Sequence, residues 1–186
     1  MLAQPTPHET FIDLVEKWNQ QVQQSPNPKW VYYSTEISRL SGGFADRLIG
    51  VMNAFVFAIH AGRAFGVEWK KPDSLNRFLP FRLNAPEMGK NSVDITCQGT
   101  FDQCKPQYIQ ALLSDSPVIR LSSNQNWIDD VTRYDIFADD VYAKYHVRVD
   151  PVLMKDVFGL LFRELFNVTT TSTSVEEYDC VQLRTG

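Results

Sequence analysis

The sequence contains little cysteine, little histidine and no excess of positive charge. Its 186 residues include only three cysteines, Cys97, Cys104 and Cys180, and three histidines. The cysteines are too few and too irregularly spaced to predict a disulfide framework. No Cys-x-x-Cys is present and the histidines are scattered, so we expect no metal site. Eighteen basic against 22 acidic residues give a formal charge of -4, which disfavours nucleic acid as a partner.

Long hydrophobic runs are also missing. The longest, residues 48–61, is interrupted by Gly50, Asn53 and His60 and is shorter than the roughly 20 residues of a membrane span. The first ten residues lack the basic and apolar regions of a secretory signal. We therefore expect no membrane partner and a cytoplasmic location, or the lumen of the endoplasmic reticulum or Golgi if an N-terminal segment has been removed.

What the sequence does contain is a regular alternation of strand and helix patterns. Strands are predicted at 30–35, 64–69, 93–97, 117–122 and 178–184, and helices at 7–23, 45–60, 73–79, 106–113, 135–145 and 150–165. Strands separated by helices are typical of an α/β fold, here a Rossmann-like parallel sheet flanked by helices. Residues 30–69 read as strand, glycine loop, helix and strand, which predicts a βαβ unit.

The glycine loop of this unit is the main candidate site. Its residues are Gly42, Gly43, Phe44, Ala45, Asp46 and Arg47. A loop between a strand and a helix lies where ligands bind in open parallel sheets, and a helix N-terminus offers free N–H groups to an anion. The abrupt reversal predicts a positive φ at Gly42 or Gly43 and an Asp46 carboxylate at the carboxyl edge of the sheet. Alternatively, the glycines only make a tight turn and Asp46 only favours the helix dipole.

Other groups carry weaker signals. The pairs Asp129-Asp130 and Asp139-Asp140 could hold Mg²⁺, but solvated acids at helix ends are the simpler interpretation. Cys104 and His146 have no local signature of a nucleophile and its base. Asn167-Val168-Thr169 is a glycosylation sequon, which matters only in a secretory protein.

Part of the chain resembles a known enzyme family. The matching residues are SGGFADRLIG at 41–50, Ala54, Phe55 and Ala58 in the helix, and AGRAFGVEW at 61–69. This segment resembles the opening βαβ unit of the fucosyltransferase-like glycosyltransferases: the nodulation, core α1,6- and protein O-fucosyltransferases. Near the end, Arg184 falls on the first arginine of that family's His-x-Arg-Arg motif, with Gln182 at the histidine position and Thr185 at the second arginine.

The resemblance implies a domain plan and a function. Residues 1–178 would form the acceptor-side domain of a two-domain GT-B enzyme, and 179–186 the first strand of a donor-binding domain that the chain lacks. The whole enzyme would need no metal or other cofactor and would transfer fucose from its donor, GDP-fucose, to a glycan or protein acceptor. Arg184 would hold the donor diphosphate, and Asp46 is the nearest candidate for a general base.

Two consequences and one rival follow from this plan. We expect the chain to be inactive alone and to expose an apolar face within residues 153–184, where the missing domain or a second copy would pack. The rival is a non-catalytic α/β domain that binds a small anion or a glycan at Gly42-Gly43.

Overall fold

The computed structural model describes residues 7–37, 43–69, 92–97, 99–123, 127–132, 135–149 and 165. Four strands run through these ranges: β1 (Trp30–Ser34), β2 (Ala64–Glu68), β3 (Val93–Thr96) and β4 (Val118–Ser122). They form one sheet in the order β2-β1-β4-β3. Every pairing is parallel, with Tyr33 of β1 opposite Val67 on one side and Leu121 on the other. The predicted parallel α/β sheet is confirmed.

Within the same ranges the structure has five α-helices: α1 (Pro7–Trp18), α2 (Phe44–Ala61), α3 (Phe101–Leu112), α4 (Ile128–Thr132) and α5 (Asp135–Tyr145). The helices α2 and α5 begin and end within a residue of their predicted bounds. Gly62 ends α2 in the left-handed conformation, at φ 64°, where a glycine costs least. The described β1-α2-β2 segment is therefore the predicted βαβ unit.

The first helix ends differently from its prediction. After Trp18 the chain makes a π-helical turn, Asn19–Gln23. The side-chain amide of Gln23 pairs with the backbone of Phe65 in the edge strand β2. Its oxygen accepts the Phe65 N–H at 2.8 Å, and its nitrogen donates to the Phe65 carbonyl at 3.3 Å. This pairing satisfies an exposed strand edge, and π turns are the usual way for a helix to absorb one extra residue.

The prediction for α3 was wrong at its start. We expected Pro106 to open the helix, yet α3 begins at Phe101 and contains Pro106. The N-terminal signal is Thr100 followed by Gln103, whose Oε1 accepts the Thr100 N–H at 3.0 Å. This is the Thr-x-x-Gln pattern of a capping box. The short helix α4 had no predicted counterpart.

The core lies between the sheet and α2. Helix α2 is buried continuously from Gly50 to His60, as expected for a helix that covers a sheet and is itself covered. Trp18 of α1 packs edge-on against Phe55, Tyr108 of α3 against Phe57, and Phe137 of α5 against His60. Helix α2 is long and apolar enough to cross a membrane by composition alone, but 61% of that stretch is buried inside the fold.

Several predictions fall on residues outside the described ranges. They are Gly42, Arg184, the helix at 73–79, the strand at 178–184, the sequon at Asn167 and the apolar face expected within 153–184. Of the helix predicted at 150–165, only Leu165 is described, and it is helical and buried.

Candidate functional site

The amino end of α2 lies over the carboxyl ends of β1 and β4. Gly50 fixes this position, because a Cβ built on it would stand 2.1 Å from the backbone oxygen of Ser123 and 2.5 Å from the Tyr33 ring. No side chain fits between such close neighbours, so only glycine allows the helix to approach the strand ends. Gly43 and the first turn of α2 are thereby placed at the sheet edge where parallel α/β folds bind ligands.

Gly43 and Asp46 cap this helix. Gly43 is the N-cap residue, with φ -60° and ψ 175°, so the positive φ expected in the loop is not found at Gly43. The Asp46 carboxylate accepts the Gly43 N–H at 3.0 Å, which satisfies one of the unpaired donors at the helix start and places negative charge at the positive end of the dipole. This hydrogen bond is the one expected if Asp46 serves to cap the helix, which was the alternative to a role in ligand binding.

Next to the cap lies an aromatic cluster made of Tyr33, Phe44 and Trp69. The Trp69 ring contacts Phe44 at 5.5 Å and Tyr33 at 6.2 Å between centroids, and the Arg47 guanidinium carbon stands 5.7 Å from its centre. Trp69 and Tyr33 are buried, while 44% of Phe44 is exposed. The cluster therefore presents one accessible ring, backed by a cation–π pair.

The charges of the first turn act on Tyr33. Burial raises the pKa of its hydroxyl, the nearby Arg47 lowers it and Asp46 raises it. The net direction is upward, so Tyr33 keeps its proton at neutral pH and can donate or accept a hydrogen bond at the edge of this cluster. Of the predicted site residues, the structure brings together Gly43, Phe44, Ala45, Asp46 and Arg47.

A cluster of polar side chains lies at the same edge, on the other face of the sheet. The Ser34 hydroxyl donates to the Glu68 carboxylate at 2.6 Å, and Arg120 binds Asp94 with both arms of its guanidinium, one at 2.7 Å. Burial and the Glu68 charge raise the pKa of Tyr32 to about 12. Sequence reasoning missed these residues. Their signal was a charged or hydroxyl-bearing residue in each of the four strands, on the side chains that point to one face of the sheet.

The remaining candidates do not assemble into a site. Among the described residues, no group of three or more His, Cys, Asp or Glu side chains could hold a metal ion. Asp130 and Asp139 are exposed, whereas Asp140 binds His60 and Lys144. Cys104 is bonded to Cys97 in a disulfide, so it is not a thiol available to His146.

A buried histidine was also missed by sequence reasoning. His60 lies 2.8 Å from the Tyr108 hydroxyl through Nδ1 and 3.1 Å from Asp140 Oδ2 through Nε2. A carboxylate can only accept, so Nε2 carries the proton and Nδ1 accepts from Tyr108. Burial lowers the pKa of His60 to about 4, against the opposing attraction of Asp140. This cluster lies near the carboxyl-terminal end of α2, away from the glycine loop.

Arg63, part of the matched segment, has a structural role. It is buried, and its guanidinium donates to the carbonyl oxygens of Ser116, at 2.6 Å, and Ser114. These carbonyls belong to the turn between α3 and β4, which Arg63 therefore holds at the amino edge of the sheet. This edge also carries a cavity of about 350 Å³ lined by Arg63, Lys29 and Asp115 among others.

Comparison with protein-family models, curated proteins and solved structures found no match to this chain. The resemblance to the fucosyltransferase-like enzymes therefore stays a prediction that rests on the residues quoted above.

Proposed function

We propose that the chain is the acceptor-side domain of a fucosyltransferase-like GT-B enzyme. The enzyme would transfer fucose from GDP-fucose to a hydroxyl of a glycan or protein. The observation that supports this most is the position of the matched segment: Gly43 and the first turn of α2 lie at the carboxyl edge of the sheet, where the Phe44 ring is accessible. Aromatic rings offer a large apolar face with a polarised rim, which suits the C–H face of a sugar.

The chemistry asked of such an enzyme is an inverting displacement. The acceptor oxygen attacks C1 of fucose, the bond from C1 to the GDP oxygen breaks, and the hydroxyl proton passes to a base. The protein contributes orientation and neutralises the leaving diphosphate. In this proposal Arg184 contacts the diphosphate and the first turn of α2 lines the acceptor side. Asp46 uses one carboxylate oxygen as a cap, which leaves the other for an acceptor hydroxyl.

The binding of an anion at the glycine loop is the less favoured alternative. The Asp46 carboxylate already accepts the Gly43 N–H and would repel a phosphate or carboxylate at the same helix end. A neutral, hydroxyl-rich ligand has no such penalty. A glycan is therefore the better ligand for this edge, with or without catalysis.

The test is a pair of titrations of the ¹⁵N-labelled chain followed by NMR. A panel of oligosaccharides should shift the Trp69 indole signal and the amides of residues 43–47 with millimolar affinity. GDP-fucose should bind weakly or not at all, because the donor would lie mainly on another domain. A GDP-fucose dissociation constant near 1 μM, about 8 kcal/mol of binding free energy, would contradict the acceptor-side assignment.

Two alanine variants make the glycan result specific. Phe44→Ala removes the accessible ring and should weaken oligosaccharide binding several-fold. Leu113→Ala removes another exposed apolar side chain, 79% exposed, from the opposite edge of the sheet and should leave binding unchanged. Equal effects of the two variants, or no shift at residues 43–47 with any oligosaccharide, would refute the glycan site.

A further inference from the structure

A disulfide joins the end of β3 to the start of α3. Cys97 directly follows β3 and Cys104 lies in the first turn of α3, with 5.8 Å between their Cα atoms. The Cys97 N–H donates to the Ser122 carbonyl at 3.2 Å, at the end of the neighbouring strand β4. The bridged loop therefore sits at the carboxyl edge of the sheet, where the candidate site lies.

Contacts lead from this loop to α2 through Trp127. The Trp127 indole donates to the carbonyl of Gly99, inside the bridged loop, at 3.2 Å. Its backbone N–H donates to the buried Asn53 side chain of α2 at 3.1 Å. Trp127 is thus held from two sides, and it directly precedes α4. The bridged loop, Trp127 and Asn53 form one chain of contacts, which we call the Trp127 latch.

The size and place of the bridge suggest a local role. The stabilisation that a disulfide gives to a whole fold grows with the length of the loop it closes, and this loop separates the cysteines by only seven positions. A chain of 186 residues can also bury a core large enough to fold without a covalent staple. The bridge therefore acts mainly on the segment it closes and on the residues bonded to that segment.

We propose that Cys97 and Cys104 are a thiol–disulfide exchange site that opens and closes the Trp127 latch. The reductant is a dithiol protein or small dithiol. Its thiolate attacks Cys97 Sγ, because Cys97 is partly exposed whereas Cys104 is 1% exposed. The S–S bond breaks and its electron pair leaves on Cys104 Sγ, which then takes up a proton. The second thiol of the reductant attacks the mixed disulfide, releases Cys97 as a thiol and leaves the reductant oxidised.

The position of Cys104 favours this direction of attack. Its Sγ lies 3.5 Å from the Gly99 carbonyl oxygen, which can accept a hydrogen bond from the Cys104 thiol that forms when the S–S bond breaks and the sulfur takes up its proton. Once the bond is open, the loop that carries the Gly99 carbonyl is held only by non-covalent contacts. Its hydrogen bond to the Trp127 indole then weakens, and Trp127 loosens from Asn53.

Hydrogen exchange on the full chain, with and without dithiothreitol, tests the latch. Thiol titration in denaturant should give one thiol for the oxidised chain and three for the reduced chain. On reduction, exchange of the amides at 99–104 and 127–132 should rise at least tenfold, while β1, β2 and the buried part of α2 keep their protection. The double variant Cys97→Ser/Cys104→Ser should show the exchange pattern of the reduced chain both with and without dithiothreitol. The control variant Cys180→Ser should behave like the parent chain.

Each result that differs from these expectations refutes a different part of the proposal. Three thiols in a chain never exposed to reductant would refute the disulfide. Full reduction with unchanged exchange at 127–132 would refute the coupling to Trp127. Loss of protection throughout the sheet would mean that the bridge is a staple of the whole fold. If the double variant fails to fold, the reduced parent chain alone still decides among these outcomes, none of which depends on glycan binding.

Discussion

Burial of the His60 imidazole predicts that the chain loses stability as the pH falls from 6.5 towards 4. The side chain is 2% exposed, and its burial lowers the pKa from 6.5 to about 4, with Asp140 opposing this shift and Lys144 adding to it. In the unfolded chain the imidazole takes up its proton near pH 6.5. Between the two values the unfolded state therefore binds the extra proton and the folded state does not, so acid favours unfolding.

The size of the effect follows from the two pKa values. Their difference corresponds to about 3 kcal/mol of unfolding free energy over the whole window. About 2 kcal/mol of this should be lost between pH 7 and pH 4.5, where the folded imidazole is still mostly neutral. This contribution is fully present above pH 6.5 and absent below pH 4.

Urea denaturation at the two pH values, followed by tryptophan fluorescence, measures the effect. His60→Gln keeps an amide that can donate to Asp140 but has no proton to gain in this range. Its unfolding free energy should therefore fall by about 2 kcal/mol less than that of the parent chain between pH 7 and pH 4.5. His146→Asn is the matched control, because His146 is exposed and its φ of 56° is one that asparagine tolerates. If His60→Gln and the parent chain lose the same amount, the assignment of a neutral, buried His60 is wrong.

Four further substitutions, one of them a control, test the packing of the β1-α2-β2 unit by thermal or urea denaturation. Gly50→Ala should lower the unfolding free energy by about 1–3 kcal/mol or more, because the added Cβ meets the Ser123 backbone. Gly43→Ala is the control and should cost under about 1 kcal/mol, since nothing lies closer than 3.8 Å to its Cβ. Equal costs of the two variants would contradict the close approach of α2 to the strand ends. Arg63→Lys should cost about 2–3 kcal/mol, because one ammonium cannot reproduce both guanidinium bonds, and an unchanged melting temperature would show that the clamp is dispensable. Asp46→Asn should cost at most about 1 kcal/mol, the usual range of a charge at a helix end, so a larger loss would mean that the carboxylate supports more than the cap.

Sequence patterns were most informative where local and long-range preferences agree. Helix α5 was predicted at its observed bounds, and α2 within a residue, because its apolar run is closed by Gly62 in the left-handed conformation. The predicted start of α3 was wrong because the prediction gave more weight to Pro106 than to the cap formed by Thr100 and Gln103. Pro106 lies inside the helix, where its missing N–H costs one backbone hydrogen bond. The π turn after Trp18 has no local signal, since it depends on Phe65, 42 positions beyond Gln23.

The site was predictable in position but not in the partners of its residues. A glycine loop between strand and helix places the candidate site at the carboxyl edge from sequence alone. The contact of Arg47 with Trp69 depends on the parallel pairing of β1 and β2, which brings the end of β2 beside the start of α2. The buried contacts of His60 with Tyr108 and Asp140 likewise join three helices that are distant in sequence.

Several residues of the segment that resembles the fucosyltransferase-like enzymes have structural roles in this fold. Gly50 allows a close approach, Gly62 adopts a positive φ, Arg63 clamps a turn, and Asp46 caps a helix. Each of these contacts supports the fold: Asp46, Gly50 and Gly62 cap or position α2, and Arg63 binds the turn between α3 and β4. The resemblance at these positions therefore bears on the fold more directly than on fucose transfer. Phe44 is different, because it lies at the start of α2 with 44% of its surface exposed, so binding experiments at Phe44 discriminate best between a shared fold and a shared activity.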